Sequence, residues 1–193
     1  MGIFGNLFGG KKDKNFIPTT DVMNDEAFWS IIHRSYEAAK GDYEEQQEQL
    51  EAELHKLTPQ DIILFDNKFR QLCGIAYNWQ LWGAIYIING GCGDDSFNDF
   101  RDWIVAQGKD FYFRTIPDPA TLVDVNREKL EVEWEGMGYI PTAVFEEITG
   151  EDMPAGFTEN TEVTGTEWDE ENDDLQKMFP KLWEKYSNNP LEL

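Results

Sequence analysis

Residues 79–104 read WQLWGAIYIINGGCGDDSFNDFRDWI, and this run decides the fold. From about Trp79 to Ile88 the side chains are apolar almost all round. A helix of that kind is stable only when surrounded, so the segment is expected at the centre of the molecule. Asn89-Gly90-Gly91-Cys92-Gly93 then breaks it. Ser96, with Asp99 three residues on, makes a loose capping box for a second helix through Phe97, Phe100, Trp103 and Ile104. Gly108 closes that helix.

The same density continues on both sides. Ten of the 27 aromatic residues fall between Tyr77 and Phe113. Trp82, Trp103, Phe97 and Phe100 recur at helical spacing and are expected in the core, since Trp is highly buried on average. Trp79, flanked by Asn78 and Gln80, is the candidate exception, an aromatic left at a surface.

Helical spacing also governs the chain upstream. Asn24 or Asp25 caps a helix with Phe28, Ile31, Ile32 and Tyr36 on one face, ended by Gly41. A second helix carries Tyr43, Gln47, Leu50, Leu54 and Leu57. Thr58-Pro59 starts a third, with a capping side chain followed by proline at the first helical position. Its inward residues are Ile62, Phe65, Phe69, Leu72 and Ala76. Downstream of Pro117 the pattern weakens to short helical pieces near 119–126, 128–136 and 141–149. Residues 150–174 read as a long exposed acidic loop. Leu175 to Tyr186 reads as a last helix docking back, which Pro180 could interrupt. No repeat and no sustained period-2 strand is present. The expected fold is all-α, one compact multi-helix domain over 23–187, with a flexible leader at 1–22 and a tail at 188–193.

Composition sets the outer limits. The chain has 193 residues, 40% of them hydrophobic, with 38 acids against 16 Lys plus Arg and a net charge of −22. That apolar content excludes wholesale disorder. No run of about 18 apolar residues exists to make a transmembrane helix. Nucleic acid is excluded as a general partner, because phosphate contacts need clustered cations. Cys73 and Cys92 are too few for a disulfide framework; a single bridge could form, and a reduced cytoplasmic protein is the expectation. The leader MGIFGNLFGG is followed by Lys11, Lys12 and Lys14, the reverse of a secretory signal's order. Ile3, Phe4, Leu7 and Phe8 would share one face of a membrane-surface helix over 1–14, but four glycines oppose that helix and the acidic body repels anionic lipid. A disordered leader is the expectation.

Specific chemistries lack their parts. Gly90-Gly91-Cys92-Gly93 leads into a helix N-terminus, yet Asp94 and Asp95 would repel an anion, and neither phosphate-loop spacing is met. A turn and cap is the expected role; a ligand held there would be a cation or an amine. Asp94, Asp95, Arg101, Asp102 and Trp79 form the candidate ligand-binding set. His33 and His55 show no paired metal-ligand spacing, and DEENDD at 169–174 lacks the glycine and distal Glu of a calcium loop. No metal and no cofactor is therefore assigned. Cys92 carries no nucleophile signature, although the fold could bring it to His33. No catalytic residue is assigned.

Three stretches together carry a resemblance: Phe28-Trp29, the run from Trp79 to Trp103, and Phe179-Pro180-Lys181-Leu182-Trp183. The chain from Asn24 to Tyr186 resembles a bacterial family catalogued as "domain of unknown function forty-two forty". Its pattern includes Trp82, Gly90, Gly91, Asp94, Asp95, Phe97, Phe100, Arg101 and Trp103. The resemblance implies no activity and no catalytic residue. It does draw attention to Arg101, the only base between Arg70 and Lys109. An Arg–Asp arrangement there could order the glycine loop or form the polar edge of a site.

The charge is local. Residues 124–174 carry −15 of the net −22, and no Lys or Arg occurs from 130 to 176. Such a block steers a basic partner electrostatically. The favoured expectation is a non-enzymatic interaction protein, immunity-like or adaptor-like, that binds a basic protein through this region. Glu167, Trp168, Asp169, Glu170 and Glu171 are its candidate contact residues. The alternative is an enzyme or small-ligand domain with its site at Asn89–Asp95 and Arg101.

Overall fold

The computed structural model describes residues 15–131, 134–160 and 162–192. Its helices begin where the sequence supplies caps. Asn24 accepts the Ala27 amide and opens α1 (Asp25–Ala39), which Lys40 and Gly41 end in positive-φ conformations. Asp42 caps α2 (Tyr43–Leu54), and Thr58 caps α3 (Pro59–Ala76) with proline in its first turn. Asn78 caps α4 (Trp79–Asn89). Each of these side chains satisfies an amide that the helix itself leaves open.

The expected capping box at Ser96 does not form. The next helix, α5 (Asp94–Ala106), begins three residues earlier, with Gly93 extended at the cap and no side-chain bond there. Asp94 and Asp95 stand in its first turn, where carboxylates complement the positive end of the helix dipole. Gly108 separates it from α6 (Lys109–Thr115).

Beyond Pro117 the first two pieces are shorter than expected, a 3-10 turn at Pro119–Asp124 and α7 (Arg127–Leu130); a 3-10 turn at Met137–Tyr139 then leads into α8 (Ile140–Thr149), which matches the third. The last helix is two, α9 (Asp174–Met178) and α10 (Pro180–Tyr186). Proline has no amide to donate and forces Phe179 out of the helical region, to φ −131° and ψ 62°.

The fold is all-α. Among the described residues the sole β pairing is an isolated bridge between Asn78 and Thr164. α1 lies along α2, while α3 packs on α5 and α8, and α10 on α4. The core is aromatic. Phe28 meets Phe65 at 4.8 Å, and Trp103 stacks on Phe100 at 5.3 Å. Some of its polar members are bonded inward: Tyr112 donates to the Leu72 carbonyl, and Gln46 donates to the last carbonyl of α5.

Two segments without regular structure are fastened to α3 and α4. Residues 15–22, the end of the expected leader, are tied through Ile17 to Gln60 and through the Thr19 and Asp21 carbonyls to Asn67. The earlier part of the leader, 1–14, lies outside the described residues. The acidic segment between α8 and α9 runs back across the ends of α3 and α4 as a strap. Phe157 donates to the buried Asn67, Tyr77 and Trp79 pair with Thr164, and the Trp168 indole donates to the Trp79 carbonyl.

Among the described residues no helix is long and apolar enough to cross a membrane.

Candidate functional site

α3 and α5 lie side by side, and their polar faces open toward the strap. The cleft between them has a volume of about 230 Å³ and is lined by Phe69 and Arg70 of α3, Asn98, Asp99, Arg101 and Asp102 of α5, Gly138 and Tyr139 of the second 3-10 turn, and Glu159 of the strap. A shallower groove continues past Arg70 along the strap toward Glu146 and Asp152.

Arg101 organises this place. Its guanidinium donates to the Cys73 carbonyl at 2.8 Å, to Glu159 at 3.3 Å and to Asn98. It lies over the Tyr77 ring at 4.6 Å and the Phe97 ring at 5.6 Å. One cation therefore joins the end of α3, the face of α5 and the strap. Its Nε is buried without a partner, so the ring faces and the Glu159 carboxylate carry its stabilisation. Arg70 is equally committed, to Asp66 at 2.8 Å and to Glu159 at 3.7 Å.

The acids are not all matched. Asp66 and Glu159 have guanidinium partners, whereas no ion pair reaches Asp99 or Asp102 among the described residues. One oxygen of Asp102 accepts the Cys73 thiol at 3.2 Å. Its other oxygen, Oδ2, faces Gly138, where a Cβ would stand only 2.2 Å away. Only glycine lets the turn approach the carboxylate this closely. Burial pushes Asp102 up to about 6, against the opposing effect of the Cys73 bond and Arg101, with Glu159 and Asp99 adding to the rise. Burial, then Glu135 and Asp95, also raises Asp99.

This has a consequence for stability. A carboxyl whose folded value is raised favours the native state when protonated, and that contribution is lost as pH rises through the folded value. Between pH 7 and pH 5, Asp102 moves through about 6 while its unfolded counterpart, near 3.8, stays ionised. Unfolding free energy is expected to rise by about 1 kcal/mol over that interval, and urea midpoints at the two pH values measure it. Asp102→Asn should remove most of the rise.

The ligand set expected from sequence divides here. Arg101 and Asp102 line the cleft; Asp94 and Asp95 do not. Those two are exposed in the first turn of α5. Trp79 is half-buried and stacks on Trp82 at 5.4 Å, with the Trp168 ring edge-on at 5.8 Å. The glycine loop acts as a turn. Gly90 ends α4 at φ 72°, the Gly91 amide returns to the Tyr86 carbonyl, and the Trp82 indole donates to Cys92. The C-terminal segment then closes over it, since Leu191 donates to the Ile88 carbonyl. Cys92 shares no hydrogen bond with His33 among the described residues. Burial, with Asp94 beside it, pushes the Cys92 thiol up to about 12, the opposite of nucleophile activation.

The candidate partner-binding residues also separate. Trp168 is half-buried against α4, and Glu170 accepts the Tyr86 hydroxyl at 2.5 Å. Asp169 holds a local turn by accepting from Glu171 and Asn172. Glu167 and Glu171 stand in solvent, as does Glu162.

Arg70, Tyr139 and Glu159 escape sequence reasoning because three separate elements bring them to Arg101, while Asp99, on α5 itself, is read in sequence only as part of a capping box. One further cluster escapes it as well. Glu51, His55 and Glu147 place three ligand atoms within 4.8 Å of one another, all exposed. The Glu51–His55 spacing of four on α2 was the visible signal, but Glu147 arrives from α8. As it stands the cluster is a solvent-exposed ion-pair group, with His55 3.5 Å from Glu147 and 3.7 Å from Glu51.

A family model described as "Protein of unknown function (DUF4240)" matches residues 23–147, most of the helical body, and the chain belongs to that family. The strap beyond 151 and the FPKLW stretch lie outside the matched residues. No curated protein and no solved structure matches the chain.

Proposed function

We propose that this member of the family is a non-enzymatic interaction protein that binds a basic protein partner through its acidic 124–174 region. The observation that carries this reading is the way the strap is held. It is fastened to α3, α4 and α5 through Phe157, Glu159, Thr164, Trp168 and Glu170, yet its remaining carboxylates point to solvent. Glu162, Glu167 and Glu171 have no cation within ion-pair distance among the described residues, and the segment supplies none of its own. A surface fixed before binding loses little conformational freedom on association, and a one-signed field accelerates encounter with a basic protein. Cys73 and Cys92 are both free thiols, which suits a reducing, bacterial cytoplasm. An immunity-like or adaptor-like role follows by analogy of charge.

The structure of the strap decides which residues to change. Glu170 and Asp169 support the strap itself, so Glu162, Glu167 and Glu171 are the residues to reverse to lysine together. The expected result, using immobilised protein in low-salt extract, is capture of a protein of net positive charge that elutes as salt rises. The triple variant should lose it while keeping the same unfolding midpoint within experimental error. Equal capture by both forms, or retention only of neutral and acidic proteins, would sink the proposal.

The small-ligand alternative moves with Arg101. The cleft that Arg101 and Asp102 line takes no residue from 89–95, so its support now rests on Asp99 and Asp102 rather than on the glycine loop.

A further inference from the structure

We propose that the groove between α3, α8 and the strap takes a lysine side chain of the basic partner, whose ammonium donates to the buried Oδ1 of Asp66. This rests on the partner reading above and names the anchor within it.

The carrying observation is one oxygen. Asp66 has only 6% of its surface exposed, and it lines the groove from α3. Its Oδ2 accepts the Arg70 Nε at 2.8 Å, whereas its Oδ1 is buried with no hydrogen-bond partner. A carboxylate oxygen removed from water and left without a donor is costly, and native proteins rarely leave one so. Burial outweighs the Arg70 contact and raises the Asp66 carboxyl above its usual range, so one guanidinium does not fully offset the lost hydration. A donor entering the groove completes the shell of Asp66.

The lining decides the sign of that donor. The groove has a volume of about 460 Å³ and sets four carboxylates, Asp66, Glu146, Asp152 and Glu159, against one cation, Arg70. Arg70 is spent on Asp66 and Glu159. Glu146 and Asp152 are exposed and have no ion pair among the described residues. A bare metal ion fits poorly, because no three of these carboxylates gather as a chelating group among the described residues. An organic cation does not need them gathered. It places its charge at Asp66 while the rest of the partner lies past Glu146 and Asp152.

Ammonium suits this anchor better than guanidinium. With Oδ2 held by Arg70, Asp66 offers a single oxygen, and the paired donors of an arginine fork would find no second acceptor on it. An ammonium bonds at one point, and its four-carbon stem can run along the apolar wall at Met153 and Phe157. Entry needs a small outward shift of that wall, since Oδ1 is closed to solvent at rest. Residues 152–156 can give way. They make no hydrogen bond to α3 or α8 among the described residues and are held by the packing of Met153. The next fastening is the Phe157 amide on Asn67, so this stretch moves without releasing the strap.

The test uses the full chain at pH 7 with Nα-acetyl-lysine methylamide as the probe, read by amide chemical shifts. The uncharged norleucine analogue, the arginine analogue and calcium alone are the comparisons. Shifts are expected at Glu146, Asp152, Met153 and Gly156, stronger for lysine than for arginine and absent for norleucine. Asp66→Asn should weaken lysine binding about tenfold, the worth of a hydrogen bond to a charged group. That change also touches Arg70, so Glu146→Gln combined with Asp152→Asn, two exposed positions, is the second variant. It should weaken binding about threefold and leave the unfolding midpoint unchanged. Asp95→Asn removes an equal charge on α5, outside the groove, and should change affinity less than twofold. Norleucine or arginine binding as well as lysine, calcium alone reproducing the lysine shifts, or equal losses in Asp95→Asn and the groove variants, would overturn the proposal. The probe reads the groove without the partner. If it binds as expected while no basic protein is captured, the partner reading fails alone; if capture survives but the probe does not bind, the groove proposal fails alone.

Discussion

Arg101→Ala should lower the free energy of unfolding by about 3–5 kcal/mol, the range for breaking a buried ion pair from one side. The loss has three sources in the structure. The Cys73 carbonyl at the end of α3 loses its donor, the Tyr77 and Phe97 rings lose the cation lying over them, and Glu159 is left beside Asp102 and Asp99 with only Arg70 at 3.7 Å. Arg101→Lys keeps the charge but not the fork, and should cost about half as much, because a point ammonium cannot reach Asn98, Glu159 and the carbonyl together. Urea unfolding of both variants measures this. A loss below about 1 kcal/mol for the alanine variant, the worth of an exposed pair, would mean that Arg101 does not join the three elements.

Asn67→Ala should be nearly as damaging, for a different reason. Asn67 is fully buried, donates to the Thr19 and Asp21 carbonyls at 2.8 and 2.7 Å, and accepts the Phe157 amide at 2.7 Å. Alanine would leave three backbone groups without partners, at about 1–3 kcal/mol for each one that stays buried. Both irregular segments hang from this side chain. The expected loss of about 3 kcal/mol should therefore come with faster hydrogen exchange at Phe157 and early proteolysis within 151–172. The amides of α5 should exchange at rates set only by the lowered global stability. Uniform loosening of the whole molecule, with the strap no more affected than α5, would contradict the assignment of Asn67 as the clasp.

What could be read from sequence divides along local and non-local lines. α1 to α5 were legible because their apolar spacing lies within each element, and local caps start the first four: Asn24, Asp42, Thr58 and Asn78 each accept an amide three residues away. Ser96 misled because the backbone of Gly93 and the charges of Asp94 and Asp95 can start a helix without a capping side chain. The strap looked like a free loop because its composition is that of one. Its fastening depends on Asn67, Tyr77, Trp79 and Tyr86, each some 84–90 residues distant in sequence. The cleft followed the same rule. Arg101 stood out as a lone base in an acidic helix, but Arg70, Tyr139 and Glu159 become its neighbours only through tertiary packing. The glycine loop, prominent in the sequence, turned out to be occupied by the chain's own end at Pro190 and Leu191.

The charge of −15 on residues 124–174 thus acquires a geometry. Part of it is internal, since Glu159 is paired with two arginines and Glu170 holds Tyr86. Among the described residues of the strap, Glu162, Glu167 and Glu171 stand in solvent on a backbone fastened to α3 and α4. The most direct measurement of this account is the association rate constant with the captured basic protein as a function of ionic strength, for the native chain and for the Glu162, Glu167 and Glu171 reversal. The account predicts a steep fall with salt for the native chain, a rate at least about tenfold lower for the variant at low salt, and convergence of the two once screening shortens the field to about 8 Å or less. Rates that coincide at every salt concentration would contradict it.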